Sequence, residues 1–448
     1  MKTLTTGFCY CWKSLMKQAF IPETTKKRII IAGGGFAGLK LARKLANSPY
    51  QIVLIDKHNY HQFQPLFYQV ATAGLEPSSI SFPLRKIFQK RPNIHFRMAS
   101  LLKVNSDDKM IETDIGTMQY DYLVLAMGVS TNYFGMESII KNTIPMKSVS
   151  EAIYLRNRIL MNFEKALNES QREDIDPLLN FVIVGGGPTG VELSGALAEM
   201  KKSVLPKDFP ELDFSKMQIH LLEAAPNLLS GMSEQAYKTA LKYLQKLGVQ
   251  VQLNAMVSGY EDGKIKIKDR EPIRSDTVIW AAGVAGEGID GLPDEIFNRA
   301  KRIIVDRHNR VADYPEIFAI GDLAYMETDK YPKGHPQVAQ VAIQQAGLLA
   351  ENFKRINQSR DLIPFEYKDK GSLATVGRKL AVADLPLVKL KGFTAWLLWL
   401  FVHLMQLVGI KNRFFVFMNW WWNYVLYDQS LRVLIRPKLF RYQERIAE

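Results

Sequence analysis

Residues 28–56 read RIIIAGGGFAGLKLARKLANSPYQIVLID, and this stretch decides the fold. Its β-branched start predicts a buried strand, after which Gly33, Gly35 and Gly38 fall at the G-x-G-x-x-G spacing. A helical pattern and a second apolar run follow, and the run ends in Asp56. In this order the glycines permit a tight turn, a close backbone approach to a pyrophosphate and close helix–strand packing, while Asp56 can accept hydrogen bonds from ribose hydroxyls. The stretch predicts dinucleotide binding; a glycine-rich turn in another α/β protein is the alternative.

The same pattern occurs a second time. Gly185, Gly187 and Gly190 repeat the spacing, and a later apolar run ends in Glu223. The acid favours NADH over NADPH, because a 2′-phosphate would meet a carboxylate here instead of an arginine. A further apolar strand ends at Gly283, where the chain can return towards a neighbouring domain. Two such units predict two nucleotides, FAD on the first and a nicotinamide on the second, so that a hydride can pass between their rings.

A short apolar strand also ends in a Gly-Asp pair at Asp322. Open α/β sheets bind ligands at the carboxyl ends of their strands, so we expect the Asp322 carboxylate to bind the ribityl chain of FAD. A helix N-cap at the same residue is the simpler interpretation, and the two are compatible.

Composition narrows the class of protein. The chain has 448 residues, 47% of them hydrophobic and 23% charged, which is enough for two or three globular domains. Its net charge of +13 indicates an anionic partner, either a lipid surface or nucleic acid. The basic residues of the C-terminal region lie beside lipophilic aromatics and not along a stacking groove, which favours lipid and predicts no nucleic-acid binding.

The two cysteines, Cys9 and Cys11, both lie in the N-terminal tail. They cannot build a disulfide framework, a cysteine-rich zinc site or a four-cysteine iron–sulfur site, so no metal is predicted. A redox disulfide beside the nucleotide domains is excluded for the same reason. The tail is basic and lacks a signal-peptide pattern, which leaves a membrane-touching arm and an organellar presequence as open alternatives.

The C-terminal region is apolar, aromatic and basic. Phe393–Ile410 has 18 residues, the lower limit for a membrane span, and five of the seven tryptophans lie between Phe393 and Tyr427. Asn412, Asn419 and Asn423 then form a polar stripe with aromatics opposite, which is an interfacial pattern. We expect helices lying in one leaflet in preference to a single span. A dimer interface built from the same apolar surface is the alternative, and both can hold.

Basic pairs follow at helical spacing, at Arg432/Arg436 and Arg441/Arg445. An anionic bilayer would attract such a face by about 1 kcal/mol per charge near the surface. The pattern therefore predicts an anionic lipid surface as a partner.

Four segments carry a resemblance to a known family: HQFQPLFYQVATAG (61–74), GVELSGALAE (190–199), IWAAGV (279–284) and AQVAIQQ (339–345). With the paired glycine motifs they resemble the type II NADH dehydrogenases, monotopic NADH:quinone oxidoreductases of the flavoprotein superfamily with two dinucleotide-binding domains. The resemblance runs from about Lys27 to the C-terminus. Sulfide:quinone oxidoreductases share this fold but use cysteines, which this part of the chain lacks.

The resemblance implies roles for particular residues. It places Val70, Ala71 and Thr72 in the loop under the flavin. It also places Glu192 near the nicotinamide and flavin, where stabilisation of the helix dipole is the simpler account.

The quinone site is implied by the same resemblance. Gln340 and Gln344 would border it and Lys379 would lie close by, although Arg378 leaves that basic position ambiguous by one residue. Gln340 and Gln344 are four apart and share a helix face, so their amides can donate to quinone oxygens without adding charge.

Together these observations predict an α/β protein with two Rossmann-like domains, for FAD and NADH, and a C-terminal amphipathic helical membrane-anchoring segment. The predicted domains are a tail (1–26), an FAD-binding domain (27–148 and 284–388), an NADH-binding domain (149–283) and C-terminal membrane-anchoring helices (389–448).

The expected activity is non-proton-pumping NADH:quinone oxidoreduction with non-covalent FAD, NADH and ubiquinone or menaquinone. We expect a homodimer on the cytoplasmic face of the inner membrane, or on the inner mitochondrial membrane in a eukaryote. Two alternatives stay open: a soluble NADH-dependent reductase of a ferredoxin-like protein, and a non-catalytic flavin- and NAD-binding membrane sensor.

Overall fold

The computed structural model describes residues 17–426 and 431–434. Cys9 and Cys11, most of the predicted tail, and the basic residues Arg436, Arg441 and Arg445 lie outside this range.

Within the described residues the strands are, in chain order, β1 Arg28–Ala32, β2 Gln51–Asp56, β3 Tyr60–Gln62, β4 Ser81–Pro83, β5 Ile94–Met98, β6 Leu101–Asn105, β7 Met110–Thr113, β8 Gly116–Gln119, β9 Tyr122–Leu125, β10 Ser130–Thr131, β11 Ile144–Pro145, β12 Asn180–Val184, β13 Gln218–Leu222, β14 Gln250–Gln252, β15 Val257–Glu261, β16 Lys264–Ile267, β17 Ile273–Arg274, β18 Thr277–Trp280, β19 Val284–Ala285, β20 Ile303–Ile304, β21 Arg310–Val311, β22 Tyr314–Ala319, β23 Ala324–Tyr325, β24 Ser372–Gly377, β25 Leu380–Asp384 and β26 Lys389–Lys391.

The α-helices in the same residues are α1 Phe36–Lys44, α2 Phe67–Ala71, α3 Leu84–Ile87, α4 Glu137–Asn142, α5 Val149–Ala166, α6 Arg172–Leu179, α7 Pro188–Ser203, α8 Leu205–Asp208, α9 Glu234–Lys246, α10 Ala339–Asn357, α11 Phe393–Gln406 and α12 Ile410–Leu426.

The chain divides into two compact units. The first comprises the described residues up to Gln62 together with Ser81–Asn132 and Gly283–Lys370, and the second comprises Phe63–Ile80, Tyr133–Ala282 and the described residues from Gly371 onward. The assignment of one nucleotide to each unit stays a prediction.

The first unit is built on a six-stranded sheet in the order β21-β22-β9-β1-β2-β5. All neighbours pair in parallel except β21 with β22. Because β1 and β2 are covered on both faces, their apolar runs are buried, as the sequence predicts for strands of a parallel sheet. Helix α1 leaves the carboxyl end of β1, which is where an open α/β sheet binds its ligand.

The second unit repeats this plan with a parallel sheet in the order β11-β18-β12-β13-β14. Helix α7 follows β12 just as α1 follows β1, so the second glycine motif also sits between a buried strand and a helix. Both Rossmann-like predictions are confirmed.

The C-terminal part of the second unit includes residues before 389, where the sequence predicts that the membrane-anchoring helices begin, and the predicted domain bounds stay a prediction. Gly371 already belongs to this unit, because β24 packs against α7 and β25 packs against α9 and α11. The apolar stretch 393–410 is also interrupted, since α11 ends at Gln406 and α12 begins at Ile410. Among the described helices, none has the length and apolarity to cross a bilayer.

Helix α7 and strand β24 of the second unit approach each other closely. A Cβ built on Gly195 would lie 1.5 Å from the carbonyl oxygen of Val376, so the two backbones touch with no side chain between them. This contact fixes the position of the β24–β25 hairpin on the helix that starts at the second glycine motif.

Gly195→Ala is therefore expected to lower the free energy of unfolding by at least about 2 kcal/mol, since backbone must move to admit the methyl group. The matched control is Gly347→Ala in α10, where no described heavy atom lies within 4 Å of the new Cβ apart from the neighbouring residues and the nearby backbone of the helix itself. That change should be neutral or stabilising by up to about 1 kcal/mol. Urea unfolding of both variants checks this, and equal effects would contradict the packing argument.

Candidate cofactor and substrate sites

The first glycine turn, residues 33–38, has the shape that a pyrophosphate needs. Gly33 has φ of 107°, and a Cβ there would lie 2.3 Å from the Ala126 carbonyl oxygen. A Cβ on Gly38 would lie 1.8 Å from the Gly33 carbonyl oxygen, whereas no described heavy atom lies within 4 Å of one on Gly35. Two of the glycines are thus needed for packing, and the middle one leaves open space at the start of α1. These residues fit a dinucleotide.

Asp56, at the end of β2, stabilises the first glycine turn through hydrogen bonds to backbone N–H groups. The Asp56 Oδ2 accepts the Gly34 N–H at 2.6 Å, and its Oδ1 accepts the His58 N–H at 2.7 Å. An ionised carboxylate accepts about four hydrogen bonds, so these two leave capacity for ribose hydroxyls.

The second glycine turn, residues 185–190, repeats the geometry closely. Gly185 has φ of 113°, a Cβ on Gly190 would lie 1.9 Å from the Gly185 carbonyl oxygen, and the described atoms leave 4 Å clear around one on Gly187. Glu223 takes the role of the acid, with Oε2 accepting the Gly186 N–H at 2.5 Å and Oε1 accepting the Ala225 N–H at 2.7 Å. The second turn fits a dinucleotide for the same reasons as the first.

The segment around Asp322 is held by two residues that sequence reasoning did not single out. Buried Gln345 accepts the Gly321 N–H at 2.8 Å through its Oε1. Arg302, also buried, donates from Nε to the Asp322 main-chain oxygen at 2.9 Å. Both fix the backbone, which leaves the Asp322 side chain at the carboxyl end of β22 as predicted. For Gln345 the available signal was its position as the last glutamine of the AQVAIQQ motif.

Gln340 and Gln344 lie near the start of α10, and their side chains hold the 368–370 segment. Gln344 donates from Nε2 to the Lys368 carbonyl at 2.9 Å and accepts the Lys368 N–H at 3.0 Å. Gln340 accepts the Lys370 N–H at 3.2 Å. The two amides thus share one helix face, as predicted, and that face orders a loop of the first unit.

Glu192 lies in the first turns of α7 and is only 7% exposed. Its Oε1 accepts the Thr375 N–H at 3.4 Å, and the Trp399 indole nitrogen is nearby but does not reach hydrogen-bond geometry. Burial outweighs these contacts and raises the pKa of the Glu192 carboxyl to about 8. Glu192 is therefore mostly protonated at neutral pH.

A second carboxyl, that of the partly buried Glu199, lies two turns further along α7. It accepts the Arg378 N–H, and burial raises its pKa as well. Arg378 lies in the tight turn between β24 and β25 together with Lys379, which has φ of 63°. Helix α7 thus places Glu192 against β24 and Glu199 against the turn that carries Lys379.

Val70, Ala71 and Thr72 lie at the end of α2 in the second unit and are buried. The Thr72 hydroxyl donates to the Tyr68 carbonyl at 2.9 Å, which caps the short helix. Tyr68 is buried against the Trp399 ring, and the two ring centroids lie 6.3 Å apart. The pKa of the Tyr68 hydroxyl is raised, mainly by burial and also by the nearby Glu192 carboxyl.

Two glycine turns of one design, each closed by an acid, define an α/β oxidoreductase fold with paired dinucleotide-binding units. Comparison with known proteins agrees: residues 27–346 match the pyridine nucleotide-disulphide oxidoreductase family, and residues 370–426 match the NDH2 C-terminal domain. The chain belongs to the type II NADH dehydrogenase family.

Individual relatives support this membership. A type II NADH:quinone oxidoreductase of Mycobacterium tuberculosis is 36% identical over 410 residues, covering 88% of this chain and 87% of the relative. One from Haemophilus influenzae is 30% identical, covering 80% and 87%. In fold, the chain is similar to the structure of NDH2 from Plasmodium falciparum in complex with NADH, with a TM-score of 0.85, 24% identity and coverage of 92% and 100%.

The raised pKa of Glu192 predicts a pH-dependent stability. Between pH 4.5 and about 8 the native carboxyl keeps a proton that the unfolded chain has lost, so the native state loses stability as pH rises. The wild type should lose up to about 1.4 kcal/mol per pH unit relative to Glu192→Gln in this window, with no further loss above it. Urea unfolding of both proteins across this range measures the difference, and a pH-independent difference would contradict the assignment.

Proposed function

We propose that this protein is a non-proton-pumping NADH:quinone oxidoreductase that uses non-covalent FAD. The observation that carries the proposal is the course of α7 in the second unit. This helix begins at the second glycine turn and brings Glu192 beside Trp399 of α11. The outer side of α11 and α12 is exposed and apolar, which suits a lipophilic substrate. One helix therefore runs from a nucleotide turn to the buried side of α11, a helix whose outer side is apolar.

In this proposal the first glycine turn binds FAD and the second binds NADH. When bound, FAD supplies a ring that takes a hydride from NADH and returns two electrons to a quinone. Asp56 would bind the ribose of the first nucleotide and Asp322 the ribityl chain, while Val70–Thr72 would lie under the flavin. Glu223 would bind the NADH ribose, and its carboxylate disfavours the 2′-phosphate of NADPH. Gly283, with φ of 73°, would complete the nicotinamide end.

Glu192 is the proposed proton-holding residue for quinone reduction. Because its Oε1 accepts the Thr375 N–H, the proton of the neutral carboxyl belongs on Oε2. A carboxyl with a pKa of about 8 can give up and regain a proton near neutral pH, which general acid catalysis requires.

The remaining quinone assignments rest on the resemblance of motifs. Gln340 and Gln344 would border the quinone, with the 368–370 segment ordered by their amides. Lys379 would supply a positive charge that favours reduced, anionic quinone species. It lies in the hairpin turn, where its backbone has φ of 63°.

The family is membrane-associated, and we propose that α11 and α12 make the attachment, with anionic lipid on their outer side. Exposed residues of this apolar face include Phe401, Phe414, Phe417 and Trp421. Arg432 pairs with Asp208 of the same unit, so it is held close to the protein.

The proposed location is the cytoplasmic face of the inner membrane, or the inner mitochondrial membrane in a eukaryote. A homodimer is also proposed, and sizing in detergent tests it.

The function is tested by steady-state turnover of FAD-loaded protein with NADH and a short-chain ubiquinone or menaquinone analogue. We expect sustained NADH oxidation in step with quinone reduction, and weaker activity with NADPH. NADH oxidation that occurs only with a ferredoxin-like acceptor would refute the proposal.

Paired glycine substitutions test which nucleotide each unit binds. The methyl group of Gly35→Ala occupies space proposed for the FAD pyrophosphate, so FAD retained on purification should fall about tenfold or more while the chain stays folded. Gly187→Ala should keep its FAD and instead raise the KM for NADH about tenfold or more. Flavin absorbance measures the FAD content of each variant, circular dichroism shows whether it is folded, and NADH titration gives its KM. Loss of FAD in Gly187→Ala alone would reverse the assignment.

Membrane attachment is tested by flotation with vesicles of phosphatidylglycerol and phosphatidylcholine. The double variant Phe417→Ser/Trp421→Ser should bind about tenfold less, because two exposed aromatics lose their apolar surface. Ile140→Ser/Tyr154→Ser removes two equally exposed apolar side chains elsewhere in the same unit and should bind like wild type. Equal binding of both double variants would exclude α12 as the attachment.

A further inference from the structure

Two polar side chains of α12, those of Trp420 and Asn423, face the protein. The Trp420 indole N–H donates to the Gln69 side-chain oxygen at 2.7 Å, and the Asn423 amide donates to the Gly74 carbonyl at 3.2 Å. Asn423 also donates to Asn419 at 2.8 Å. The stripe that the sequence assigned to a membrane interface therefore holds, in part, the segment 67–74.

Gln69 connects α12 to a buried phenol. Its Nε2 donates to the Tyr68 hydroxyl at 2.8 Å while its Oε1 accepts from Trp420. The Gln69 side chain thus links α12 to the Tyr68 hydroxyl. Glu192 is close enough to Tyr68 to affect the pKa of that hydroxyl. The Trp399 ring of α11 packs on the same phenol.

The segment needs such support because it has little structure of its own. Helix α2 has only five residues, far below the length at which an isolated helix is stable in water. Ala73 follows with φ of 56°, a conformation that costs a non-glycine residue free energy. The hydrogen bonds from α12 to Gln69 and Gly74 stabilise the short helix and the strained residue that follows it.

We propose that Trp420 and Asn423 are positioning residues for quinone reduction: by holding Gln69 and Gly74 they fix Tyr68 beside Glu192. The inference rests on the proposed function of Glu192 and adds to it a link between α12 and the quinone-reducing half of the reaction. NADH oxidation by a soluble acceptor does not use Tyr68 or Glu192. Loss of the Trp420–Gln69 hydrogen bond also leaves in place the backbone hydrogen bonds of residues 68–75 that hold Val70–Thr72, which are proposed to lie under the flavin. The Tyr68 hydroxyl, buried and with a raised pKa, keeps its proton and stays a hydrogen-bond donor.

The test compares Trp420→Phe with Trp422→Phe in the full-length, FAD-loaded protein. Each change removes one indole N–H from α12 and keeps an aromatic ring, but only Trp420 donates to Gln69. Trp420→Phe should lower kcat with a short-chain quinone about fivefold, as expected for the loss of one positioning hydrogen bond. NADH oxidation with ferricyanide and the FAD content should be unchanged. Trp422→Phe should match wild type in FAD content and in NADH oxidation with the short-chain quinone and with ferricyanide.

A double-variant cycle with Gln69→Leu separates positioning from a general loss of stability. If Trp420 acts through Gln69, Trp420→Phe should cause no further loss of kcat in the Gln69→Leu background. Additive losses, or equal falls with quinone and with ferricyanide, would overturn the inference. Equal quinone activity of Trp420→Phe and Trp422→Phe would overturn it while the proposed function stands. A wild-type protein that oxidises NADH with ferricyanide but never reduces quinone would overturn both.

Discussion

The contact between the α7 backbone and the β24 backbone at Gly195 is the constraint on which the second unit depends. A helix and a strand approach this closely only where no side chain intervenes. Glu192 and Glu199 lie on either side of that contact, and each accepts a backbone N–H of the β24–β25 hairpin. Burial is the main cause of the raised pKa of both carboxyls.

The two glycine turns share one geometry. In each, the first and third glycines are required by carbonyl oxygens that leave no room for a Cβ, and the middle one opens onto free space. In each, an acid from the next strand accepts a glycine N–H and the N–H two residues beyond itself. Such a turn is rigid before any nucleotide arrives, so little conformational entropy is lost on binding. Specificity for one nucleotide or the other must come from residues outside the shared turn.

Much of this could be predicted from sequence because the features are local. The strands, helices and acids of both glycine turns follow from periodicity and spacing, and the buried strands β1 and β2 agree with their β-branched runs. The partners of Gln340 and Gln344 could not be predicted, since their amides bond to a loop more than twenty residues away. The Asn419–Asn423 stripe shows the same limit: helical spacing gives a polar face, but only tertiary packing shows that Trp420 and Asn423 turn towards residues 69–74. The C-terminal part of the second unit begins at Gly371 for a similar reason, because the packing of β24 against α7 leaves no compositional signal.

Sequential anaerobic mixing tests the central claim most directly, because it observes the two halves of the reaction one after the other. FAD-loaded protein is mixed first with one equivalent of NADH and then with a short-chain quinone, while flavin absorbance is followed. The account predicts that the absorbance falls in the first mix and returns fully in the second, with quinol formed in equal amount. A flavin that NADH reduces but quinone leaves reduced, and that a ferredoxin-like protein reoxidises, would contradict it.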